Sequence, residues 1–197
     1  MHESLMEFPN AHFYEGKLHL LNGMKRQKKP IFFDIGYNDK TTLLQRKVFI
    51  NTAEDEEFNW KTNIHEANEC VNVLSDLFDL FQVNKKPLTQ DSIGIITPYR
   101  AQIALIRKCM ERLPKEITEK ITVDTVERYQ GGARDIIIIS FCINRLSQLD
   151  SLVSLSHDGV DRKLNVALTR AREQIILIGN KSLLSENKVY KELIESY

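Results

Sequence analysis

The sequence predicts an α/β domain built on a mostly parallel sheet, and three observations carry that expectation. Short continuous apolar runs at residues 93–96, 136–139 and 175–178 have the length of strands and no polar alternation, as strands buried on both faces do. Segments with apolar residues three and four apart lie between such runs, led by Ile64, Ala67, Val71, Leu74, Phe78 and Phe81, which is the spacing of a helix with one buried face. Polar turns rich in odd residue types follow the runs, where ligands gather in sheets of this class.

Taken in order, residues 1–22 are irregular or short-helical, punctuated by Pro9-Asn10. The basic run Lys25, Arg26, Lys28 and Lys29 reads as a solvated loop, with a phosphate contact as the minority alternative. Pro30 opens a run of strand length, residues 31–36, and residues 48–51 form a weaker second strand. The acids Glu54, Asp55, Glu56 and Glu57 come after Asn51-Thr52-Ala53 and not at a buried strand end. A solvated loop is therefore the better reading than a metal-binding motif. Residues 63–83 are the clearest helix, with Asn63 and Glu66 as a capping pair. His65-Glu66 could open a zinc-protease motif, but Glu69 stands where the second histidine belongs. After the strand at 93–96, Thr97 is a candidate N-cap and Pro98 a first helical residue. The helix that follows carries Ile103, Ile106, Met110 and Leu113 on one face. Residues 121–125 are the next strand, 126–135 a polar glycine-containing turn, and 136–139 a central parallel strand. A long polar loop occupies 144–161. The segment 161–180 then sets Arg170 and Arg172 on a short helix ahead of a buried strand, and an amphipathic helix closes the chain from residue 182.

Composition narrows the function. At 197 residues the chain fits a single domain over 1–197 with a sizeable core. Lysine plus arginine, 27, balance aspartate plus glutamate, 27, so nucleic-acid binding has to come from a local patch. The three cysteines, Cys70, Cys109 and Cys142, are odd in number and sit in apolar contexts. They read as reduced core thiols of an intracellular, cytoplasmic protein. No apolar run approaches the roughly 18 residues of a membrane span, and the first residues lack a signal-peptide pattern. No membrane partner is expected.

Two arginines on a small helix beside a buried strand suit transition-state charge neutralisation in phosphoryl transfer. Such a site also needs a phosphate cradle of the form G-x-x-x-x-G-K-[ST], and none is present; Gly16-Lys17 lacks both the preceding glycine and the hydroxyl residue. No strand-end acid pair for a metal is found either. The residues amount to half of an active site.

Four stretches then resemble the second RecA-like domain of superfamily 1B helicases. Residues 94–102, Gly-Ile-Ile-Thr-Pro-Tyr-Arg-Ala-Gln, are similar to motif IV, and 125–131, Thr-Val-Glu-Arg-Tyr-Gln-Gly, to motif V. Residues 164–172, Leu-Asn-Val-Ala-Leu-Thr-Arg-Ala-Arg, are similar to motif VI, and Asn63-Ile64-His65-Glu66-Ala67 to the opening of the family's long helix. The likeness is collinear over nearly the whole chain. It implies a RecA-like, P-loop NTPase-type fold, a mostly parallel sheet with helices on both faces, lacking its own Walker A.

For the residues, the resemblance implies that Arg170 and Gln130 are catalytic, Arg170 as the finger on the γ-phosphate. Arg172 and Gly131 would join them in a nucleotide site shared with an absent first domain, Arg172 either assisting or pairing with a nearby acid. Thr97, Tyr99, Arg100 and Thr125 would contact the nucleic-acid backbone, and Asn165 and Arg162 would support the motif VI element. The family's glutamate three residues after the motif V glutamine is replaced by Ala133, so that contact is lost or passes to Arg134 or the backbone. Met1-His2 resembles the end of a family segment Tyr-Arg-Met-His, which implies a fragment of a larger protein. The parent would be an ATP-dependent DNA or RNA helicase or translocase moving 5′ to 3′. Its partners would be the first RecA-like domain and single-stranded DNA or RNA. ATP and Mg²⁺ would be held mainly by the absent domain, with no cofactor or metal in this chain alone, and the isolated chain would be inactive. Two alternatives stand beside this: a degenerate, non-catalytic RecA-like domain that binds nucleic acid or protein, and, more weakly, a flavodoxin-like or nucleotide-metabolism α/β domain, which predicts a ligand site complete in one chain that the sequence does not show.

Overall fold

The computed structural model describes residues 1–19, 31–34, 41–55, 60–129, 132–155 and 160–197. Helix α1 (Glu3–Phe13) precedes strand β1 (Lys47–Asn51), long helix α2 (Ile64–Val83), β2 (Ile93–Ile96), α3 (Arg100–Met110) and the short α4 (Lys115–Thr118). Strands β3 (Thr122–Asp124) and β4 (Arg134–Ser140) follow. Then come α5 (Leu149–Leu152), α6 (Arg162–Thr169), β5 (Ala171–Gly179), α7 (Lys181–Leu184) and α8 (Lys188–Glu195). The five strands pair in the order β1-β5-β4-β2-β3, every pair parallel. Strand β4 is central, as its four consecutive isoleucines predict.

The pleat sorts those isoleucines between two cores. Ile136 and Ile138 face one side with Ile93, Ile95 and Ile176, under α2 and α3. Ile137 and Ile139 face the other with Ile175 and Leu177, under α1, α6 and α8. A strand covered by helices on both faces has no solvent side, so successive side chains are all apolar. The α/β class and the helices on both faces hold as expected.

Beside the expected closing helix, which divides into α7 and α8 with Asn187 as the new N-cap, four local expectations change. Of the run at 31–36, Ile31 to Asp34 are described and form no strand; Ile35 and Gly36 lie outside the described residues. The backbone N–H groups of Phe33 and Asp34 donate to Asn84 Oδ1, at 2.7 and 3.1 Å, instead of to a sheet ladder. Phe32 is buried edge-on to Phe81, with ring centroids 5.2 Å apart, while Phe33 is 65% exposed. Second, α3 starts at Arg100 with Tyr99 as its N-cap, not at Pro98. Thr97 extends the sheet, its N–H donating to Asp124 O at 3.2 Å, and a residue before proline is pushed to extended backbone.

Third, the loop at 144–161 carries a 3₁₀ turn at Leu146–Gln148 and the short α5, which buries Leu149 and Leu152. Fourth, α6 ends at Thr169, so Arg170 is its C-cap and Arg172 belongs to β5. The basic run at residues 25–29 and Glu56 and Glu57 of the acidic run lie outside the described residues. Glu54 is exposed, but Asp55 is tied down, its carboxylate accepting from Ile64 N at 3.2 Å. No described helix is long and apolar enough to cross a membrane. Cys70 and Cys142 are buried free thiols and Cys109 is a half-buried one.

Candidate nucleic-acid and nucleotide sites

The candidate residues separate into two groups at opposite ends of the sheet. Thr97 and Thr125 follow the carboxyl ends of the paired strands β2 and β3. Both are buried, Thr97 at 0% and Thr125 at 7% exposure. The Thr97 hydroxyl has no hydrogen-bond partner among the described residues. It lines a cavity of about 30 Å³ with Pro98, Val126, Glu127, Phe141 and Lys163. Tyr99 is half-buried and Arg100 exposed, so these two present the open surface of this end.

Glu127 and Lys163 bridge the β3 turn to α6 at 3.0 Å. Partial burial works to raise the Glu127 carboxyl. Its own backbone N–H, the Lys163 ammonium and the Thr125 hydroxyl outweigh this and lower it.

A buried polar cluster stands behind this end. Gln102, fully buried in the first turn of α3, reads the Asn63 backbone with both halves of its amide. Asn63 N donates to Gln102 Oε1 at 2.8 Å, and Gln102 Nε2 donates to Asn63 O at 3.0 Å. Asn63 Oδ1 accepts from Glu66 N at 2.8 Å, as a cap should. The reciprocal half of the predicted capping pair is absent, because Glu66 turns inward. Its Oε2 accepts from Ser140 Oγ at 2.7 Å and Cys142 N at 2.8 Å. Burial pushes the Glu66 carboxyl up to about 7, against the lowering effect of those donors. Asn144 closes the cluster, accepting from Asn63 Nδ2 at 2.7 Å and donating to Thr62 O at 2.7 Å. Sequence reasoning singled out Gln102 and Glu66 but not Ser140 or Asn144. The signal was a glutamate placed one residue before Ala67 on a helix face that otherwise buries Cys70, Val71 and Leu74.

The second group lies at the amino ends of β4 and β5. Arg134 N donates to Arg170 O at 2.9 Å, joining the two strand starts. Arg172 is exposed and pairs with Asp135 at 3.3 Å, the pairing that one reading of this residue foresaw. Arg170 is half-buried; among the described residues its guanidinium meets only Val166 O, at 3.3 Å from Nε, and no carboxylate. His2 N donates to Arg172 O at 2.6 Å, which brings the Met1-His2 segment to the same corner.

Gln130 and Gly131 lie outside the described residues. Their neighbour Tyr129 is buried with its phenol end against Gly94, and Arg134 lies 5.5 Å over its ring. Arg134 also reaches Asp91 at 3.5 Å and Thr122 Oγ1 at 3.3 Å, so its side chain turns to the β2–β3 edge. Asn165 supports α6 by donating to Tyr14 OH at 3.1 Å, whereas Arg162 is exposed.

Helix α6 spans the interval between the groups. Asp161 caps it, Oδ1 accepting from the N–H groups of Lys163 and Leu164 at 3.1 Å each, while Oδ2 accepts from Tyr190 OH at 2.9 Å. Burial first, and the Asp161 carboxylate second, push the Tyr190 phenol well above its usual range.

Comparison with known proteins agrees with the resemblance to superfamily 1B helicases. The family described as AAA domain matches residues 1–182. An uncharacterized ATP-dependent helicase of Methanocaldococcus jannaschii is 34% identical over 99% of this chain and 28% of its own length. Helicase SEN1 of Saccharomyces cerevisiae is 34% identical over 99% of this chain and 8% of its own. The regulator of nonsense transcripts 1 homolog of Drosophila melanogaster is 30% identical over 100% of this chain and 16% of its own. The chain thus spans less than a third of each of these relatives. A solved C-terminal domain of a possible DNA helicase from Lactobacillus plantarum is a looser likeness, at 14% identity and a TM-score of 0.44 over 74% of this chain and 83% of that one. The strand order, not this likeness, carries the fold. By its family match and its helicase relatives, the chain belongs to the AAA domain family, as a RecA-like domain of the superfamily 1B helicase type.

Proposed function

We propose that this chain is the C-terminal motor domain of a longer ATP-dependent DNA or RNA helicase or translocase, and that it supplies the arginine finger. The observation that carries this is the state of Arg170. Its guanidinium stands at the amino end of β5 with no carboxylate against it among the described residues, while Arg172 two residues on is neutralised by Asp135. An unneutralised guanidinium fork on a rigid element is suited to phosphate oxygens. The nucleotide would lie in the cleft toward a first RecA-like domain. ATP with Mg²⁺, held mainly by that domain, supplies the phosphoryl group. From this side Arg170 neutralises charge that grows in the transition state, and the motif V resemblance assigns Gln130 and Gly131 to the same nucleotide site. The opposite end of the sheet, with half-buried Tyr99 and exposed Arg100 beside Thr97 and Thr125, meets single-stranded nucleic acid through contacts that read no sequence.

Arg170→Ala in the longer protein should lower ATP turnover about a thousandfold and change ATP affinity far less, since the contact matters mainly in the transition state. Arg172→Ala should have a much smaller effect. Turnover near normal in Arg170→Ala would remove the residue from this role. ATP hydrolysis by the purified 197-residue chain would overturn the division of the site between two domains.

A further inference from the structure

We propose that Trp60, with Arg145 over its ring, is a stacking platform for one unpaired nucleobase of a single strand crossing the carboxyl end of the sheet. The inference rests on the nucleic-acid reading above and deepens it by naming where a base is held.

Trp60 is the chain's one tryptophan and is 57% exposed. An indole of that size left open on a polar loop costs hydration free energy, and here it is held open by construction. Gln148 clamps the two loops that carry the pair: its Nε2 donates to Trp60 O, and its Oε1 accepts from Asn144 N at 2.8 Å and Arg145 N at 3.0 Å. Asn144 Nδ2 reaches across to Thr62 O. The backbone at Trp60 and Thr62 is thus tied to Asn144 and Gln148 in the loop after β4, which lowers the ordering cost of stacking. The Arg145 guanidinium lies 5.2 Å from the indole centroid, an arrangement that adds a planar cation suited to a base or an adjacent phosphate.

Position selects the ligand. Trp60 lies in the loop after β1 and Arg145 in the loop after β4, both at the carboxyl end. The Asn63–Gln102 bonds join the Trp60 loop to the first turn of α3, where Tyr99 and Arg100 stand. Strand β4 is two strands from β3, about 10 Å, so one extended strand passing over Thr125, Tyr99 and Arg100 reaches Arg145 and Trp60 next. The exposed cations nearby, Lys61 and Arg100, suit a phosphate backbone. Among the described residues, the acids of the Trp60 loop are Glu54, in contact with Asn180, and Asp55, bound to the start of α2.

Because the chain has one tryptophan, its emission reports on this ring alone. The 197-residue chain is titrated at low salt with single-stranded oligothymidylate, with oligouridylate, and with an abasic strand of equal length and charge. Affinities are read from the anisotropy of labelled strands. Both base-bearing strands should quench the emission and the abasic strand should not. Trp60→Ala should weaken binding of the base-bearing strands about tenfold and leave the abasic strand unchanged, while Trp60→Phe should keep most of the affinity. Binding without quenching, unchanged in Trp60→Ala, would overturn the platform and leave the wider nucleic-acid reading standing, with the ring assigned to a protein partner. No binding of any strand would overturn both.

Discussion

Glu66 shows how much one side chain decides at the carboxyl end of the sheet. Cys142 adopts a left-handed backbone, φ 54, which disfavours a residue with a Cβ. Its N–H is received by the Glu66 carboxylate, so the acid stabilises the turn by which the chain leaves β4. Burial holds that carboxyl at about 7, well above 4.5. A carboxyl with a raised folded pKa binds more protons folded than unfolded. Stability therefore falls as pH rises from about 4.5 to about 7 and is flat beyond, by about 3 kcal/mol at most. Glu66→Gln keeps an acceptor for Ser140 and Cys142 without the charge. Chemical denaturation at pH 5 and pH 8 should show the wild type losing stability relative to Glu66→Gln, and a constant gap would refute the assignment. Gly94 is a second residue-scale case. A Cβ there would sit 1.7 Å from the Tyr129 hydroxyl. Gly94→Ala should cost about 1–3 kcal/mol by overpacking, most of it recovered when Tyr129→Ala is added. Strictly additive losses in the double variant would show that the two residues do not meet.

At the scale of elements, α6 depends on one carboxylate used twice. Asp161 satisfies two N–H groups at the start of the helix and receives the Tyr190 phenol from α8. Asp161→Ala should lose about 1–2 kcal/mol for the cap and leave the Tyr190 hydroxyl buried without its acceptor. Tyr190→Phe should cost less, because it removes donor and demand together. Equal thermal stability of the two variants would argue against the double role. The Glu127–Lys163 pair, about half exposed on both sides, adds little by comparison.

Elements of this kind were read unevenly from sequence. The central strands were legible because parallel strands covered on both faces are apolar throughout, and α2 because twenty residues repeat one face. The run at 31–34 was misread because two aromatics mimic a strand when one is buried under Phe81 and the other points to water. The first turn of α3 shifted because Thr97 kept its ladder bond. The polar cluster was hardest to foresee, since Asn63, Gln102, Ser140 and Asn144 are brought together only by the parallel crossovers. Trp60 and Arg145 drew no notice for the same reason: they come from loops 85 positions apart that meet only because β1 and β4 flank β5.

The whole molecule separates two surfaces by the length of its sheet. Strand β4 has seven residues, which places Arg134 and Arg170 about 20 Å from the loops that carry Arg145, Tyr99 and Trp60. Helix α6, about 12 Å long, begins at the Glu127–Lys163 bridge on one side and ends at Arg170 on the other. Sites that far apart without shared partners should respond independently to side-chain truncation. In the 197-residue chain, Arg170→Ala should leave affinity for oligothymidylate unchanged although it removes a positive charge, and its effect should add to that of Trp60→Ala without coupling. In the longer protein the same variants should divide differently: Arg170→Ala suppresses turnover whether or not a strand is present, whereas Trp60→Ala raises the strand concentration needed for stimulation and spares turnover at saturating strand. A fall in oligonucleotide affinity on Arg170→Ala as large as that on Trp60→Ala would mean that the strand runs along the amino end of the sheet, and both the platform and the assignment of Arg170 to the nucleotide cleft would have to be exchanged for that path.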